Sequence, residues 1–113
     1  MRPQPPAAPP SQLAQVFFAL GDATRLRLVA VLCAGGAFSI TQLTANTDIS
    51  RQAVTKHLQV LADAGLVKDL KIGRERLWQF DPTQLEEARR TLEVIGRQWD
   101  TALAKLKAFA QDQ

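Results

Sequence analysis

Apolar residues recur every three or four positions over most of this chain, a spacing that is typical of amphipathic helices. A first helix is expected from Ser11, whose side chain can cap it, to about Gly21. A second is expected from the cap Asp22 to about Ala34, and its apolarity on almost every side is typical of a central helix. Its buried stripe is expected to consist of Leu26, Val29, Ala30 and Cys33, widened by Leu28, Val31 and Leu32.

A short helix, a polar turn and a longer helix are expected in the middle of the chain. After a brief extended stretch over residues 37–40, Thr41 opens the short helix, which ends near Ala45. Ser50 can cap the longer helix, and Gly65 can adopt the left-handed conformation that ends it. This order of elements is typical of a helix-turn-helix motif.

The longer helix has one apolar side, formed by Val54, Leu58 and Leu61, and one polar side. The polar side is rich in hydrogen-bonding groups: Arg51, Gln52, Thr55, Lys56 and Gln59. Such groups suit DNA, since Gln can pair with adenine, Arg and Lys bind guanine or phosphate, and a Thr methyl contacts the thymine methyl. A helix about 10–12 Å across also matches the major groove. The pattern predicts a recognition helix, and an ordinary surface helix is the alternative that this segment alone leaves open.

The hydrophobic period changes from 3.6 to two after Gly65, which predicts a β-hairpin that turns at Gly73-Arg74. The tip of this hairpin carries the basic residues Lys71, Arg74 and Arg76. A hairpin directly after a recognition helix is expected to act as a wing, whose basic tip can reach the DNA backbone or the minor groove. The expected fold class is therefore mainly α with a small β-hairpin, a winged helix-turn-helix with long terminal helices for dimerisation.

A long helix is expected at the end of the chain, from Pro82 to Phe109. It would be about 42 Å long at 1.5 Å per residue, which is more than so small a core can cover. Its apolar positions alternate at spacings of three and four, so it is expected to pack, with the first helix, against a second copy of the chain. The residues expected in this dimer interface are Leu13, Val16, Phe17, Leu92, Ile95, Trp99, Ala102, Leu106 and Phe109. Gly96, inside the helix, indicates either a close backbone approach or a kink.

The 113 residues suffice for one domain with a modest core. Residues 1–10 contain five of the six prolines and are expected to form a disordered tail, which leaves residues 11–113 as the domain. The net charge of +3 is weak support for nucleic-acid binding, but residues 51–76 hold six basic and three acidic side chains, so the positive charge is concentrated around the recognition helix. No apolar run reaches the length of a signal peptide or a membrane span, so a cytoplasmic protein without a membrane partner is expected.

An enzyme is the weakest functional class for this sequence. The chain has a single His and a single Cys, no nucleophile-base pair and no glycine-rich phosphate loop. One Cys and one His cannot form a four-ligand metal site, and one Cys excludes an internal disulfide. No metal or other cofactor is therefore expected, and Cys33 is expected to be a small core residue.

Three segments carry the characteristic residues of the chain: ALGDATRLRLVAVL (residues 19–32), ISRQAVTKHLQVLADAGLV (49–67) and GRERLWQFDP (73–82). Together they resemble the arsenic-repressor (ArsR) family of bacterial winged-helix transcription regulators, and the likeness covers about residues 13–109. The resemblance implies a homodimer, with helices from both chain ends in its interface, that binds an operator and represses transcription. The cysteine pairs and histidines through which family members sense metals are missing here, so the chain looks more like the branch that lacks metal sites.

The resemblance also implies which residues contact DNA. In the groove it places Ser50, Arg51, Gln52, Thr55, Lys56 and Gln59, and in the wing Arg74 and Arg76. The predicted DNA-binding set also includes Lys71 in the wing tip, Thr41 and Gln42 in the short helix, and His57. His57 matches a family histidine before an inner leucine, and its place at the edge of the buried side leaves a phosphate contact and a packing role equally open.

The predicted function is that of a sequence-specific DNA-binding regulator, in the simplest form a homodimeric repressor on a pseudo-palindromic operator. The alternative is a winged-helix module that binds other proteins and has no specific affinity for DNA. The operator, the regulated genes, the small-molecule or protein inducer and the choice between repression and activation are not written in the sequence.

Overall fold

The computed structural model describes residues 10–111, and within them the chain forms five helices and a three-stranded sheet. The elements in order are α1 (Pro10–Leu20), α2 (Ala23–Cys33), β1 (Ala37–Ser39), α3 (Ile40–Thr44), α4 (Arg51–Asp63), β2 (Val67–Ile72), β3 (Glu75–Phe80) and α5 (Thr83–Gln111). This is the predicted winged helix-turn-helix: α3 and α4 form the motif, and β2 and β3 form the wing. The predicted tail lies outside the described residues except for Pro10, at which α1 begins.

Two helix caps and one helix stop are confirmed by their hydrogen bonds and backbone geometry. The Asp22 carboxylate accepts a hydrogen bond from the Arg25 amide at 3.0 Å at the start of α2. The Ser50 hydroxyl accepts one from the Ala53 amide at 3.2 Å at the start of α4. Gly65 follows α4 with a φ of 79°, a conformation that residues with a Cβ rarely adopt.

The short helix α3 begins earlier than predicted, because Ser39 rather than Thr41 precedes it as the cap. The Ser39 hydroxyl accepts a hydrogen bond from the Gln42 amide at 3.2 Å, and the Gln42 side-chain oxygen accepts one from the Ser39 amide at 2.9 Å. This reciprocal capping box pairs two amides that a helix start otherwise leaves without partners.

β3 is the central strand of the sheet, with β1 on one side, β2 on the other and antiparallel pairing on both. The predicted hairpin is confirmed, and it turns at Gly73, whose φ is 64°. The sequence predicted β1 only as an extended stretch. Its pairing places Phe38 opposite Trp78, a contact between distant parts of the chain that a local pattern does not reveal.

The side of α2 that faces the core agrees only in part with the predicted stripe, which was wrong for Leu26, Ala30 and Cys33. Its buried residues are Leu28, Val29 and Leu32. Leu26 is 51% exposed, and Ala30 and Cys33 are exposed as well. Because α2 is apolar almost all round, its periodicity could not decide which side packs, and its contacts with α4 and β3 decide it instead. Cys33 is therefore not the core residue that was expected, and desolvation raises the pKa of its thiol, which disfavours the reactive thiolate.

The core holds α4 firmly to the rest of the domain. Trp78 of β3 is almost fully buried, and Leu58 and Leu61 of α4 are fully buried. Burial of each such aliphatic side chain stabilises the fold by about 1.5–3 kcal/mol. The apolar side of α4 thus determines which residues its outer side presents.

α5 is a long helix, as predicted, and only its beginning belongs to the core. Its 29 residues give a length of about 43 Å at 1.5 Å per residue. Ala88 is buried and Leu85 packs against the core, but nearly every residue from Leu92 onward is exposed. The helix continues through Gly96 as a single element.

Candidate nucleic-acid interface

The outer side of α4 is the polar surface that the sequence predicted. Its exposed residues are Arg51, Gln52, Thr55, Lys56 and Gln59. Val54, Leu58 and Leu61 lie on the opposite side with no exposed surface, so their burial turns the polar side of α4 outward. Ser50 is also exposed, but its hydroxyl already accepts the capping bond.

Two of these side chains make hydrogen bonds within α4. The Thr55 hydroxyl donates to the Arg51 carbonyl at 2.8 Å, and the Gln59 amide nitrogen donates to the Asp63 carboxylate at 3.0 Å. The hydroxyl of Thr55 is therefore satisfied, which leaves its methyl group for an apolar contact with a thymine methyl. Gln59 has to give up its bond with Asp63 before its amide can pair in full with a base edge.

A cleft of about 580 Å³ lies between the start of α4 and the wing. It is lined by Ser39, Ile40, Thr41, Gln42, Arg51, Glu75, Arg76 and Leu77. The structure thus brings the start of α3, the start of the recognition helix and the wing around one depression. Thr41 is exposed there, whereas the side chain of Gln42 is occupied by the capping box.

The basic residues of the wing differ in their surroundings. Arg76 donates a hydrogen bond to the Asp69 carboxylate at 2.9 Å, so its charge is already paired within the wing. Lys71 lies opposite Arg76 in the register of β2 and β3, and Arg74 lies in the exposed turn. Unlike Arg76, the wing cations Lys71 and Arg74 are not held in an ion pair within residues 10–111.

His57 lies at the edge of the buried side of α4, where the sequence placed it. Its Nδ1 is 3.3 Å from Nη1 of Arg25 and 3.9 Å from Oδ2 of Asp22, so the ring packs against the start of α2. The side chain keeps 24% of its surface exposed. Arg25 was not among the residues predicted to contact DNA. The sequence indicates its position only through its spacing of three residues from the helix cap Asp22.

Comparisons with known proteins identify the family to which this chain belongs. A family model described as "Helix-turn-helix domain" matches residues 20–69. The HTH-type transcriptional regulator Rv2034 of Mycobacterium tuberculosis is 41% identical over 85 residues, which are 75% of this chain and 76% of that protein. The solved structure of an ArsR-like transcriptional regulator from Rhodococcus sp. RHA1 has a TM-score of 0.81 and 39% identity, and the match covers 91% of this chain and 94% of that one. The chain belongs to the ArsR-like family of helix-turn-helix transcriptional regulators.

The family resemblance seen in the sequence is thereby confirmed, and this ArsR-like protein is a DNA-binding transcriptional regulator rather than an enzyme. The arsenical resistance operon repressor of Escherichia coli is a further relative, 28% identical over 98 residues that make up 87% of this chain and 81% of that protein. Within residues 10–111 of this regulator, no three His, Cys, Asp or Glu side chains are grouped so that they could hold a metal ion. None of the helices in the same range is both long and apolar enough to cross a membrane.

The terminal helices of this ArsR-like regulator expose most of the residues predicted for a dimer interface. Phe17 of α1 is exposed, and so are the predicted residues of α5, Leu92, Ile95, Trp99, Ala102, Leu106 and Phe109. The prediction was wrong for Leu13 and Val16, because only 5% and 0% of their surface is exposed in a single chain. Both residues lie on the inner side of α1 and pack in the core, so almost none of their surface could contact a partner.

Phe18, at the end of α1, is 68% exposed and lines a cleft with Val60, Asp63 and Ala64 at the end of α4, so it lies on a different side of α1 from Phe17. One further apolar feature next to the predicted dimer surface was missed in the sequence. An apolar cleft of about 460 Å³ lies between α1 and α5. It is lined mainly by Phe17, Leu20, Phe80, Pro82, Leu85, Ala88 and Leu92, so it joins the exposed stripe of α5 to the exposed side of α1.

Proposed function

We propose that this ArsR-like regulator is a homodimeric repressor that binds a pseudo-palindromic operator through two copies of α4. The observation that carries the proposal is the exposed apolar stripe along α5, on a domain whose recognition helix presents an unobstructed polar side. The stripe supports pairing of two chains, and the polar side supports contact with DNA.

The dimer follows from the length and pattern of α5. Ile95, Trp99 and Leu106 each expose more than half of their surface. With Ala102 between the last two, the positions follow spacings of four, three and four, which suit packing against a second helix. A monomeric protein in water rarely exposes so long an apolar surface. An identical helix related by a two-fold axis would cover it with the same residues, since in such an interface both copies use the same patch.

The DNA contacts divide into two kinds according to side-chain chemistry. Gln52 and Thr55 are suited to base edges in the major groove, where Gln pairs with adenine and the Thr methyl contacts thymine. Lys56 and Arg74 are suited to phosphates on either side of the groove, which set affinity but carry no sequence information.

Two-fold pairing would give this small reading surface its affinity and specificity. One copy of α4 offers few base contacts, but two joined copies bind their half-sites with a high effective concentration. In helix-turn-helix dimers the half-sites lie about 34–36 Å apart, one turn of DNA, and the operator mirrors the two-fold symmetry of the protein. The name of the Escherichia coli relative, an operon repressor, supports repression as the outcome of binding.

The experiment that tests this function is selection of bound fragments from the genomic DNA of the source organism, with sedimentation of the same full-length protein. We expect the enriched fragments to share an inverted repeat with half-sites about one helical turn apart, and the protein to sediment as a dimer. A promoter that contains the site, fused to a reporter, should then lose expression when the regulator is present. A monomer that enriches no duplex would refute the proposal and would favour a module that binds other proteins.

A further inference from the structure

We propose that Arg25 is a positioning residue that sets the orientation of the recognition helix by holding Nδ1 of His57 from the end of α1. The inference rests on the proposed DNA-binding function and deepens it. Arg25 lies in the first turn of α2, but its side chain contacts α1 and α4, so one guanidinium group joins three helices.

The first half of this link is the end of α1. The last carbonyl groups of a helix have no partners within the helix, and basic side chains commonly satisfy them. Here Nε of Arg25 donates to the Ala19 carbonyl at 2.6 Å, and Nη2 donates to the Phe18 carbonyl at 3.3 Å. The guanidinium carbon also lies 5.5 Å from the centre of the Phe18 ring. Arg25 is thus fixed in place by two hydrogen bonds and an aromatic contact to α1.

The second half of the link is His57 in the middle of α4. Nη1 of Arg25 lies 3.3 Å from Nδ1 of His57. A guanidinium group only donates hydrogen bonds, so Nδ1 has to be the acceptor and the proton of the neutral ring has to be on Nε2. Asp22 stands 3.9 Å from the same nitrogen, which is beyond hydrogen-bond distance. The arrangement therefore selects one tautomer of the only histidine in the chain.

This link bears on DNA recognition because of what else α4 carries. His57 follows Lys56 directly and lies two residues after Thr55, both on the exposed polar side. The buried leucines of α4 provide apolar packing, which is non-directional, whereas the bond between Arg25 and His57 is directional. α1 is also the helix whose exposed Phe17 belongs to the proposed dimer interface. Arg25 therefore connects α4, which carries the residues proposed to contact bases, to α1, which contributes to that interface.

The free protein gives a test that does not depend on DNA. A long-range ¹H–¹⁵N NMR spectrum of the single histidine at about pH 8, where an ordinary imidazole is neutral, reports which nitrogen carries the proton. We expect the Nε2–H tautomer in the wild type and a mixture of tautomers in Arg25→Lys, because an ammonium cannot reproduce the planar set of donors. The Nδ1–H tautomer in the wild type would overturn the proposal.

Substitutions of His57 test the consequence for DNA binding. Asn places an acceptor near the position of Nδ1, Gln places its amide near that of Nε2, and Leu removes both. We expect His57→Asn to keep operator affinity within about threefold of the wild type, and His57→Leu and Arg25→Lys to lower it by about tenfold. The double variant Arg25→Lys/His57→Leu should lose no more operator affinity than the weaker-binding single variant, because both changes remove the bond between Arg25 and His57. Affinity for random DNA should fall less than affinity for the operator, and its dependence on salt should remain as in the wild type, since the number of phosphate contacts is unchanged.

Two other possible results of these measurements would each contradict the positioning role of Arg25. If His57→Gln binds well while His57→Asn loses affinity and salt dependence, then Nε2 contacts a phosphate and the positioning role is wrong. Equal losses on operator and random DNA that follow the thermal stability of the variants would indicate a structural role only, and would also overturn the proposal. The His57 variants keep the test valid if Arg25→Lys fails to fold. Wild-type protein that does not distinguish operator from random DNA would refute the proposed function, while the NMR experiment would still test the link itself.

Discussion

The guanidinium group of Arg76 lies 4.6 Å from the centre of the Trp78 ring, within strand β3 of the wing. Trp78 is buried in the core, and the Nε of Arg76 donates to Asp69 on the neighbouring strand, so Arg76 is held against its own domain. Arg74 lies two residues away in the exposed turn. The two arginines, which look equivalent in the sequence, therefore differ: Arg76 contacts Asp69 and Trp78, whereas no ion pair within residues 10–111 involves Arg74.

Arg74→Gln is expected to reduce the slope of log affinity against log salt by about one, because one phosphate contact is lost. Arg76→Gln is the matched control, with the same change of charge two residues away. We expect it to leave the slope closer to that of the wild type and to lower the stability of the domain by about 1 kcal/mol or less. Fluorescence anisotropy over a salt series measures both slopes. Equal losses of slope in the two variants would contradict the difference between the arginines.

Gln52→Ala is expected to weaken operator binding by about 1–3 kcal/mol, because a base contact is lost, with little effect on random DNA. Lys56→Ala, on the same exposed side of α4, is its counterpart. It should weaken binding to both kinds of DNA to a similar extent, since phosphate contacts carry no sequence information. Titration of each variant with operator and with a scrambled duplex separates the two residues. A uniform loss for Gln52→Ala would show that Gln52 does not read a base.

The recognition helix could be predicted from the sequence because its apolar and polar sides are cleanly separated and both of its ends carry strong signals. Ser50 caps it, Gly65 ends it, and the three residues predicted to be buried are fully buried. α2 shows the opposite case. A helix that is apolar on nearly every side can pack on any of them, and only its neighbours in three dimensions decide, which is why Cys33 and Leu26 were placed wrongly.

The link through Arg25 could not be predicted for a similar reason. Its partners are carbonyl groups of the chain backbone and one nitrogen of His57, which lies 32 residues away. Backbone carbonyls occur at every residue and so leave no mark in a sequence. The different roles of Arg74 and Arg76 likewise depend on the register of the hairpin, which places Asp69 opposite Trp78.

Trp99→Asp is expected to shift the protein from dimer to monomer, because a charge would replace an aromatic side chain that is 62% exposed in one chain and buried in the proposed interface. Arg97→Asp is the control, since two residues further back the side chain points away from the stripe. Sedimentation equilibrium at micromolar concentration measures the effect. If Trp99→Asp remains a dimer, the interface lies elsewhere.

Gly65→Ala is expected to destabilise the domain by about 1–2 kcal/mol or more, because its φ of 79° disfavours any residue with a Cβ. That Cβ would also lie 2.8 Å from Cγ of Gln84, so the Gln84 side chain would have to move. Gly96→Ala in the monomeric Trp99→Asp background provides the contrast. No atom lies within 4 Å of a Cβ at that helical position, so the change should stabilise the monomer by up to about 1 kcal/mol.

Urea unfolding of both glycine variants, followed by circular dichroism, gives the two free energies. A neutral Gly65→Ala would contradict the requirement for glycine after α4. Gly96→Ala in the wild-type background also tests whether the two helices approach closely at Gly96, through its effect on the strength of the dimer. If it weakens the dimer while it stabilises the monomer, the two backbones approach closely at Gly96, which is the first of the two explanations that the sequence offered.

Asp22→Asn is expected to change how stability depends on pH. The hydrogen bond from the Arg25 amide, helped by the charge of the Arg25 side chain, holds the pKa of Asp22 below its ordinary value of 3.8. Since the folded form binds the proton less readily than the unfolded chain, the ionised carboxylate stabilises the fold above that value, and the contribution is lost as the pH falls through the lower pKa of the folded state. Asn is an equally good cap but has no charge to titrate.

Urea unfolding of the wild type and of Asp22→Asn, from neutral pH down to about pH 3, measures this difference. The wild type should lose more stability than the variant below about pH 4. Other carboxylates, such as Asp81, titrate in both proteins and cancel in the difference, so parallel curves would mean that Asp22 is not held in its charged form by Arg25.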